Sequence, residues 1–330
     1  MDIAFKMRPV IIAEIGINHD GDIDKAFRMI GDACDAGCRV VKFQSHIPGD
    51  EMVPLARDIT PANADENIFD MMDRCSFTEE QETALKDYTE RLGMTYLCTP
   101  FSREAADRLE RMGVSGYKIG SGELTNYPLV KHITGKGKPI ILSTGMSSFM
   151  EIDRAVEIIG DQLATILHCV SEYPTPYEHV NLNRMLELKE RYGKPVGLSD
   201  HSIGIYTALA AVALGASVVE KHFTSDKSWT GADIPISIDP QELRELVRGA
   251  EAIGRAFRGS GDESKTARFA HACVVAIRDI HADEPLTESN IWVKRPGTGM
   301  IPAAQYEYVL GRRASRDILK DEQLAWSDLC

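Results

Sequence analysis

Apolar segments of strand length alternate with segments of helix length eight times over roughly the first 255 residues. Eight such units, in a chain of this size, predict a (β/α)8 TIM barrel of parallel strands, which we expect over residues 1–258. A doubly wound open sheet is the alternative, but it does not require eight evenly spaced units. The predicted strands are residues 10–15, 39–44, 94–98, 116–119, 139–142 and 164–168, and the two short strands at the ends of 198–223.

The stretch 198–223 is predicted to form a βαβ unit, and its strand ends carry the residues that most directly indicate an ion-binding site. It places His201 at the carboxyl end of one strand and His222 at the carboxyl end of the next. Neighbouring parallel strands lie about 4.8 Å apart, so two imidazoles at equivalent strand ends can reach one ion. The alternative is one helix-capping and one buried histidine. The polar neighbours Asp200 and Glu220 favour the shared ion.

The regular alternation of strand and helix segments ends after the last predicted barrel helix. Residues 259–270 begin with glycine, serine and acidic residues, a composition typical of a linker. Short β-prone segments and a turn cluster at 296–299 follow, so residues 271–330 are predicted to form a small, mostly β domain. This domain is too short for enzyme chemistry of its own, and we expect it to cover a barrel mouth, its own or a neighbour's.

Charge and composition exclude several classes of partner. The formal net charge is -13, which disfavours binding to nucleic acid or to an anionic membrane surface. No apolar run approaches the length of a membrane span, and the first residues lack the core of a signal peptide. Seven cysteines without a regular framework indicate reduced thiols and a cytoplasmic protein.

Polar or ionisable residues follow almost every predicted strand. Active sites of (β/α)8 barrels form at the carboxyl ends of the strands, so these side chains are expected in one mouth. A barrel with its site elsewhere would carry more apolar strand ends. In chain order the set is Glu14, Lys42, Gln44, Thr99, Lys118, Ser121, Glu123, Ser143, His168, Ser199, Asp200, His201, Glu220 and His222.

The residue types in this set indicate an anionic substrate and a divalent ion. Two lysines, several hydroxyls and glycine-rich turns suit phosphate and carboxylate groups. Two histidines among oxygen ligands suit an ion such as Mn²⁺ better than a closed zinc site. Glu14 and Glu123 near that charge can transfer protons. The alternative for each glutamate is a structural salt bridge, to Lys42 or to Lys118.

Short motifs along almost the whole chain give it a specific resemblance to the sialic acid (nonulosonate) synthases. The carboxyl-terminal segment, with VKRPGTG at 293–299, is similar to the antifreeze-like (SAF) domain of that family. The barrel motifs are AEIGINHDG at 13–21, VKFQ at 41–44, CTPFS at 98–102, KIGSGE at 118–123, LSTGM at 142–146, EYPTP at 172–176, LSDHS at 198–202 and VEKHFT at 219–224.

The resemblance implies a metal-dependent transferase that forms a carbon–carbon bond. Enzymes of this family condense phosphoenolpyruvate with the open-chain aldehyde of N-acetylmannosamine or a related amino sugar. The products are a nine-carbon 2-keto acid and phosphate. His201 and His222 would hold the metal, most simply Mn²⁺, with Mg²⁺ or Co²⁺ as alternatives, and Glu14 and Glu123 would handle protons. Phosphoenolpyruvate would contact Lys42, Thr99, Lys118, Ser121, Ser143 and Ser199.

The resemblance also implies the residues around the sugar and the oligomeric state. In the family, an arginine that matches Arg295 comes from the partner subunit of a domain-swapped homodimer and binds the N-acyl group of the sugar. A linker of this length can reach a neighbouring copy. The positions expected to face the sugar or the surroundings of the metal are Gln44, Asn63, Tyr173, Glu220, Asp233, Phe269 and Arg295.

Departures from the family pattern lie on the sugar side. Many relatives have a histidine at the position of Ile234, directly after Asp233, and some have asparagine at the position of Ser171. The reaction is therefore better specified than the sugar. A sugar 6-phosphate, or the substrate of a legionaminic or pseudaminic acid-type synthase, stays open. Two more distant candidate functions are a 3-deoxy-octulosonate phosphate-type synthase and a non-catalytic carbohydrate-binding protein.

Overall fold

A computed structural model describes residues 9–61, 64–257 and 259–330 of the chain. The chain divides into two compact units, one ending at residue 258 and one beginning at residue 259. Within the described residues, no helix has both the length and the apolar character needed to cross a bilayer.

The first unit is the expected (β/α)8 barrel. Its strands are all parallel and pair in the order β3-β2-β1-β8-β7-β6-β5-β4, so the first and last strands of the unit are neighbours. All eight carboxyl ends therefore point to the same side. The strands are β1 (Val10–Gly16), β2 (Val40–Ser45), β3 (Thr95–Pro100), β4 (Tyr117–Ile119), β5 (Ile140–Ser143), β6 (Leu163–Cys169), β7 (Val196–Asp200) and β8 (Val218–His222).

The helices of the first unit begin where capping side chains satisfy their free amide groups. Thr78, Ser148 and Asp239 each accept a hydrogen bond from the third residue of the helix that follows. The helices are α1 (Ile23–Asp35), α2 (Pro48–Glu51), α3 (Ile68–Cys75), α4 (Glu79–Arg91), α5 (Arg103–Arg111), α6 (Tyr127–Thr134), α7 (Phe149–Ile159), α8 (Asn183–Tyr192), α9 (Tyr206–Ala213) and α10 (Pro240–Ala256).

The scattered Pro, Asp and Asn residues of segment 45–77 predict a long loop, but the described part of this segment is partly helical. It contains α2 and α3, and Asn67 caps the amino end of α3. One face of α3 carries Met71, Met72 and Cys75, which are buried against Ile17 in a small apolar cluster. Pro48 begins α2, Asn67 caps α3, and packing of one apolar face fixes α3.

The interior of the barrel is filled by a layer of branched side chains. Gly197 lies so close to its neighbours in this layer that it leaves no room for a side chain. A Cβ there would lie 2.1 Å from the carbonyl oxygen of Val218 and 2.7 Å from Leu167. A second, larger apolar layer lies between the strands and the outer helices. The interior cluster consists of Ile12, Val40, Leu97, Ile141, Leu167 and Val218.

The second unit has its own apolar core and little regular structure. Its core includes Val274, Ile291 and Leu324. Residues 264–270, which the composition assigned to the linker, form a helix, and this part of the chain contains neither glycine nor proline. The elements are α11 (Ser264–Ala270), β9 (Cys273–Ala276), β10 (Ile291–Lys294) and α12 (Tyr306–Val309), with β9 and β10 antiparallel and further single bridges around them.

We expect Leu167→Ala to lower the free energy of unfolding by about 2–5 kcal/mol, because it removes a fully buried side chain and leaves a cavity in the barrel interior. Urea denaturation followed by circular dichroism measures this loss. Leu186→Ala on α8 is the control, since Leu186 is 38% exposed and its truncation should cost less than about 1 kcal/mol. Equal losses in the two variants would contradict this account of the interior.

Candidate active site

The carboxyl ends of the barrel strands enclose a recess of about 490 Å³. A larger recess of about 730 Å³ lies beside Arg74, Lys227 and Trp229, but it contains none of the predicted site residues. Chemistry rather than volume therefore identifies the site. The predicted residues that line the smaller recess are Glu14, Lys42, Gln44, Thr99, Lys118, Ser121, Ser143, Tyr173, Ser199, His201, Glu220 and His222.

Lys42 lies at the centre of the recess between two buried carboxylates. Its Nζ atom is 3.1 Å from Oε2 of Glu14 and 3.3 Å from Oε1 of Glu220, and it donates to the hydroxyl of Thr99 at 3.5 Å. The ion pair that was the alternative role for Glu14 is therefore present. Because Glu14 also faces the recess, this pairing leaves a proton-transfer role open.

Lys118 supplies a second buried ammonium group. Its Nζ atom donates to the hydroxyl of Ser143 at 2.6 Å and lies 3.6 Å from Oε1 of Glu220. The hydroxyl of Ser199 donates to the same Glu220 oxygen at 2.9 Å. Two cations and several hydroxyls thus meet at one wall, a donor set that suits phosphate and carboxylate oxygens.

Burial sets the electrostatics of this group of charges. Burial lowers the pKa of Lys118 and raises the pKa of Glu14. Burial alone would lower the pKa of Lys42 and raise that of Glu220, but the charged neighbours together have the larger effect. The two carboxylates raise the pKa of Lys42, and the two ammonium groups lower that of Glu220. Glu220 and Lys42 therefore stay charged, whereas Glu14 and Lys118 are the groups that can exchange protons.

His201 and His222 lie side by side, with their ring centroids 5.3 Å apart. Nδ1 of His201 lies 2.8 Å from the carbonyl oxygen of Val170, so this nitrogen carries a proton, and Nε2 is the atom that a neutral ring offers to an ion. The ring of Tyr173 stacks on His201 at 4.2 Å and meets His222 edge-on at 5.9 Å. These contacts fix the orientation of His201 in front of the recess.

The side chain of His222 carries a buried nitrogen that fits a metal ligand. Its Nδ1 atom has no hydrogen-bond partner in the part of the chain that the structure describes, and the nearest carboxylate oxygen, on Asp233, is 3.6 Å away. Burial holds the pKa of His222 well below its ordinary value, so the ring is neutral. A neutral imidazole with a free lone pair is the form that binds a divalent ion.

The two histidines form an open donor set. Across residues 9–61, 64–257 and 259–330, no group of three or more His, Cys, Asp or Glu side chains is placed to hold a metal ion. An ion held by two imidazoles would keep its remaining positions for water and substrate oxygens. The donor set therefore fits a catalytic ion better than a structural one.

Comparison with known proteins places the chain in a family. The model of the NeuB family matches residues 29–263, which is most of the chain, and that of the SAF domain matches residues 271–329. The chain belongs to the NeuB family. It is 38% identical to the N,N'-diacetyllegionaminic acid synthase of Campylobacter jejuni, covering 96% of this chain and 98% of that protein.

Two further relatives support the same assignment. The pseudaminic acid synthase of Helicobacter pylori is 32% identical over 97% of this NeuB-family chain and 98% of its own length. The crystal structure of the N-acetylneuraminic acid (sialic acid) synthetase of Leptospira borgpetersenii, in complex with citrate, superposes with a TM-score of 0.71 at 34% identity. That comparison covers 78% of this chain and 89% of the other.

Several residues that the sequence assigned to the site lie outside the recess lining. Glu123 accepts a hydrogen bond from Asn126 at 2.8 Å, and burial raises its pKa. Asp233 is buried near His222, and burial raises its pKa to about 6. Phe269 and Arg295 belong to the second unit and are exposed there. Asn63 lies outside the described residues.

His168, at the end of β6, does not reach the recess. Its Nε2 atom lies 2.6 Å from the carbonyl oxygen of Val180, within the buried surroundings of that strand. The side chain therefore links β6 to the segment before α8. Strand alternation explains this outcome, because His168 is adjacent to Cys169, and it is Cys169 that lines the recess.

A buried ion pair behind the histidines was not foreseen from the sequence. Nζ of Lys221 lies 3.0 Å from Oδ2 of Asp200, and Thr207 donates to the same oxygen at 2.7 Å. Asp200 and Lys221 are opposite each other in the pairing of β7 with β8. The pair therefore joins the two strand ends that carry His201 and His222.

His46 and Glu51 are further side chains that sequence reasoning missed. His46 follows Gln44 by two residues, so the two side chains point to the same side of an extended chain. The Gln44 amide nitrogen donates to Oε1 of Glu14 at 2.9 Å, and Nε2 of His46 is 2.9 Å from the Gln44 amide oxygen. Period-two spacing from Lys42 was the signal that could have found His46.

We expect Lys42→Met to destabilise the fold by about 3–5 kcal/mol, because Glu14 and Glu220 lose the ammonium group between them. The pKa of the uncompensated Glu14 in the folded state then lies further above its unfolded value. Stability is therefore retained at acid pH and lost as pH rises through that folded pKa. Urea denaturation from about pH 5 to about pH 8 measures the trend.

The matched control for this prediction is Lys227→Met. Lys227 forms an ion pair with Glu242, but its side chain is 46% exposed. Removal of an exposed pair costs about 1 kcal/mol or less. A loss in Lys42→Met that equals this control, or that shrinks as pH rises, would contradict the electrostatic account of the recess.

Proposed function

We propose that this NeuB-family protein is a nonulosonate synthase. It condenses phosphoenolpyruvate with the open-chain aldehyde of a 2-acetamido sugar and releases a nine-carbon 2-keto acid and phosphate. One observation carries the proposal: two buried lysines with hydroxyl donors lie in the same recess as a pair of histidines suited to a divalent ion. The relatives named as synthases of legionaminic and pseudaminic acids support it.

In this reaction C3 of phosphoenolpyruvate forms a bond to the aldehyde carbon, and the aldehyde oxygen takes up a proton. Water adds to C2, and phosphate leaves as the C2 ketone forms. Lys42 and Lys118 neutralise the negative charges of phosphoenolpyruvate. The hydroxyls of Thr99, Ser143 and Ser199 orient its oxygens. The hydroxyl of Ser121 takes the same role, already ordered by a 3.0 Å hydrogen bond from the Gly145 amide.

His201 and His222 are the residues that would hold a divalent ion, for which we propose Mn²⁺. When bound, such an ion polarises the sugar carbonyl and makes it more electrophilic. Glu14 and Glu123 handle the protons, which agrees with the way burial raises the pKa of each. Tyr173 stacks on His201 and holds its ring in place.

The departures from the family pattern, at Ser171 and Ile234, lie on the sugar side of the site. We propose that Gln44, Asn63, Asp233 and Glu220 surround the sugar or the ion. We further propose a domain-swapped homodimer in which Phe269 and Arg295 act on the sugar bound by the neighbouring copy. Both residues are exposed on the second unit, which leaves them accessible for that contact.

The test is turnover with a panel of acceptors: N-acetylmannosamine, its 6-phosphate and a 2,4-diacetamido-2,4,6-trideoxyhexose, each with phosphoenolpyruvate and Mn²⁺. We expect phosphate release and a nine-carbon 2-keto acid, identified by mass, with at least one non-phosphorylated sugar. Turnover of the 6-phosphate alone would select the alternative acceptor. An eight-carbon product would identify an octulosonate-type synthase. Sugar binding without turnover would support a carbohydrate-binding protein.

We expect chelation by EDTA to abolish turnover and Mn²⁺ to restore it. His201→Ala should lose both turnover and tight Mn²⁺ binding, the latter measured by calorimetry without substrates. His179→Ala is the control, because His179 is exposed and bonded to Glu172 at the surface. Full Mn²⁺ affinity and full activity in His201→Ala would refute the assigned role of the histidines.

We expect the affinity for phosphoenolpyruvate to fall at alkaline pH. Burial lowers the pKa of Lys118, so its ammonium group loses its proton at a lower pH than an exposed lysine does. Below that pKa the cation attracts the anionic substrate, and above it the attraction is lost. Calorimetric titration with phosphoenolpyruvate, repeated from neutral to alkaline pH, measures the change in affinity. Lys118→Arg should bind with a flatter pH dependence, since guanidinium stays protonated. A pH-independent wild-type affinity would contradict the prediction.

A further inference from the structure

A series of partly buried hydrogen bonds leads from Glu14 away from the recess to a histidine that does not line it. The Gln44 amide nitrogen donates to Oε1 of Glu14 at 2.9 Å. Its amide oxygen lies 2.9 Å from Nε2 of His46, and Nδ1 of His46 lies 2.9 Å from Oε2 of Glu51. His46 is buried and its ring stacks on Phe101 at 4.3 Å. The packing therefore holds the imidazole in one orientation.

The number of hydrogen-bond donors in this series of contacts depends on the protonation of His46. Each ring nitrogen faces an acceptor, the carboxylate of Glu51 on one side and the amide oxygen of Gln44 on the other. A neutral imidazole has a single N–H group and can serve only one of them. Both contacts are satisfied when the ring carries two protons. In that state the Gln44 amide must present its NH₂ group to Glu14.

Loss of one proton from His46 reverses the orientation that the Gln44 side-chain amide prefers. If the remaining N–H group donates to Glu51, the bare Nε2 atom faces the Gln44 oxygen, and two lone pairs oppose each other. Rotation of the amide by half a turn restores a hydrogen bond, with NH₂ donating to Nε2. The amide oxygen then faces Glu14, which favours a protonated Glu14 because a carboxylate cannot donate.

The charges around His46 are supplied by several elements. Glu51 on α2 is in direct contact, and Glu82 on α4 and Glu123 after β4 also act on the ring electrostatically. Glu82 is itself paired with Arg108 on α5 at 3.0 Å. The nearby His19 is neutral, since burial lowers its pKa to about 4. His46 is thus linked through Gln44 to Glu14 and acts electrostatically on Glu123, the two carboxyls to which we assign proton transfer.

We propose that His46 is a positioning residue which, in its doubly protonated form, fixes the Gln44 amide so that it donates to Glu14. The link to catalysis rests on the proposed function, in which Glu14 handles protons. His46 itself does not contact the recess, so it acts through Gln44. Removal of one proton from His46 is expected to turn the amide and to change the hydrogen bonding of Glu14.

The first test uses the protein without substrates or metal. Histidine Cε1–H and glutamine side-chain NH₂ resonances are followed by NMR against pH, with His46→Gln and Gln44→Met used for assignment. We expect the Gln44 NH₂ signals to shift with the same midpoint as the His46 signal. In His46→Gln the Gln44 shift should vanish, because the new amide offers a donor that does not titrate. Gln44 signals that ignore the His46 midpoint in the wild type would overturn the proposal.

The second test measures kcat and KM against pH for the wild type, His46→Gln, Glu51→Gln and the control His179→Gln. We expect the wild type to lose kcat as His46 loses its proton, with little change in the KM for phosphoenolpyruvate. His46→Gln should keep kcat and lose this inflection, and Glu51→Gln should move it to lower pH. His179, bonded to Glu172 at 2.9 Å but exposed, should leave the profile unchanged.

The two tests separate failure of this proposal from failure of the proposed function. Inactivity of the wild type with every sugar would refute the synthase assignment, while NMR alone decides whether His46 sets the Gln44 amide. An unchanged kcat inflection in His46→Gln would overturn the positioning role even in an active enzyme. Because Glu51→Gln keeps the size of the side chain beside the ring, it provides the second variant if His46→Gln folds poorly.

Discussion

The structure depends on keeping four buried charges in mutual balance. Lys42 and Lys118 lie with Glu14 and Glu220 at the base of one recess, and all four side chains are buried. Isolated burial of any one of them would be far more costly than their pairing. The barrel makes this arrangement feasible, because each strand end fixes one backbone position and the side chains converge from several directions. An incoming anion can then be bound by groups that are already charged and oriented.

His201 and His222 show how the residues behind a site set its geometry. His201 is held by the Val170 carbonyl and by the Tyr173 ring, and the Asp200–Lys221 pair joins the strands that carry the two imidazoles. Loss of one partner of such a buried pair would leave an uncompensated charge, so the pair keeps the two strand ends together. The same logic extends through Gln44 to His46, where a residue outside the recess determines which end of an amide faces Glu14.

Much of this architecture was accessible from the sequence because a (β/α)8 barrel repeats one local rule eight times. Period-two and helical patterns located the strands, and the shared direction of parallel strands placed twelve of the predicted side chains around one recess. Local rules failed where a tertiary contact decided the outcome. Helix α3 forms because Met71 and Met72 pack against Ile17. His168 turns away because its neighbour Cys169 takes the inward position.

The sequence by itself determined the fold class, the family motifs and the polar residues carried by the strand ends, since these depend on local periodicity and chain direction. Only the tertiary structure decided which charges pair. Glu220 lies between two lysines, Glu123 bonds Asn126, and Lys221 turns outward to Asp200. Apart from Glu123 with Asn126, three residues away, these pairings join residues distant in the chain. Their energies depend on burial and on distances of a few ångströms. Neither quantity is encoded in any single segment.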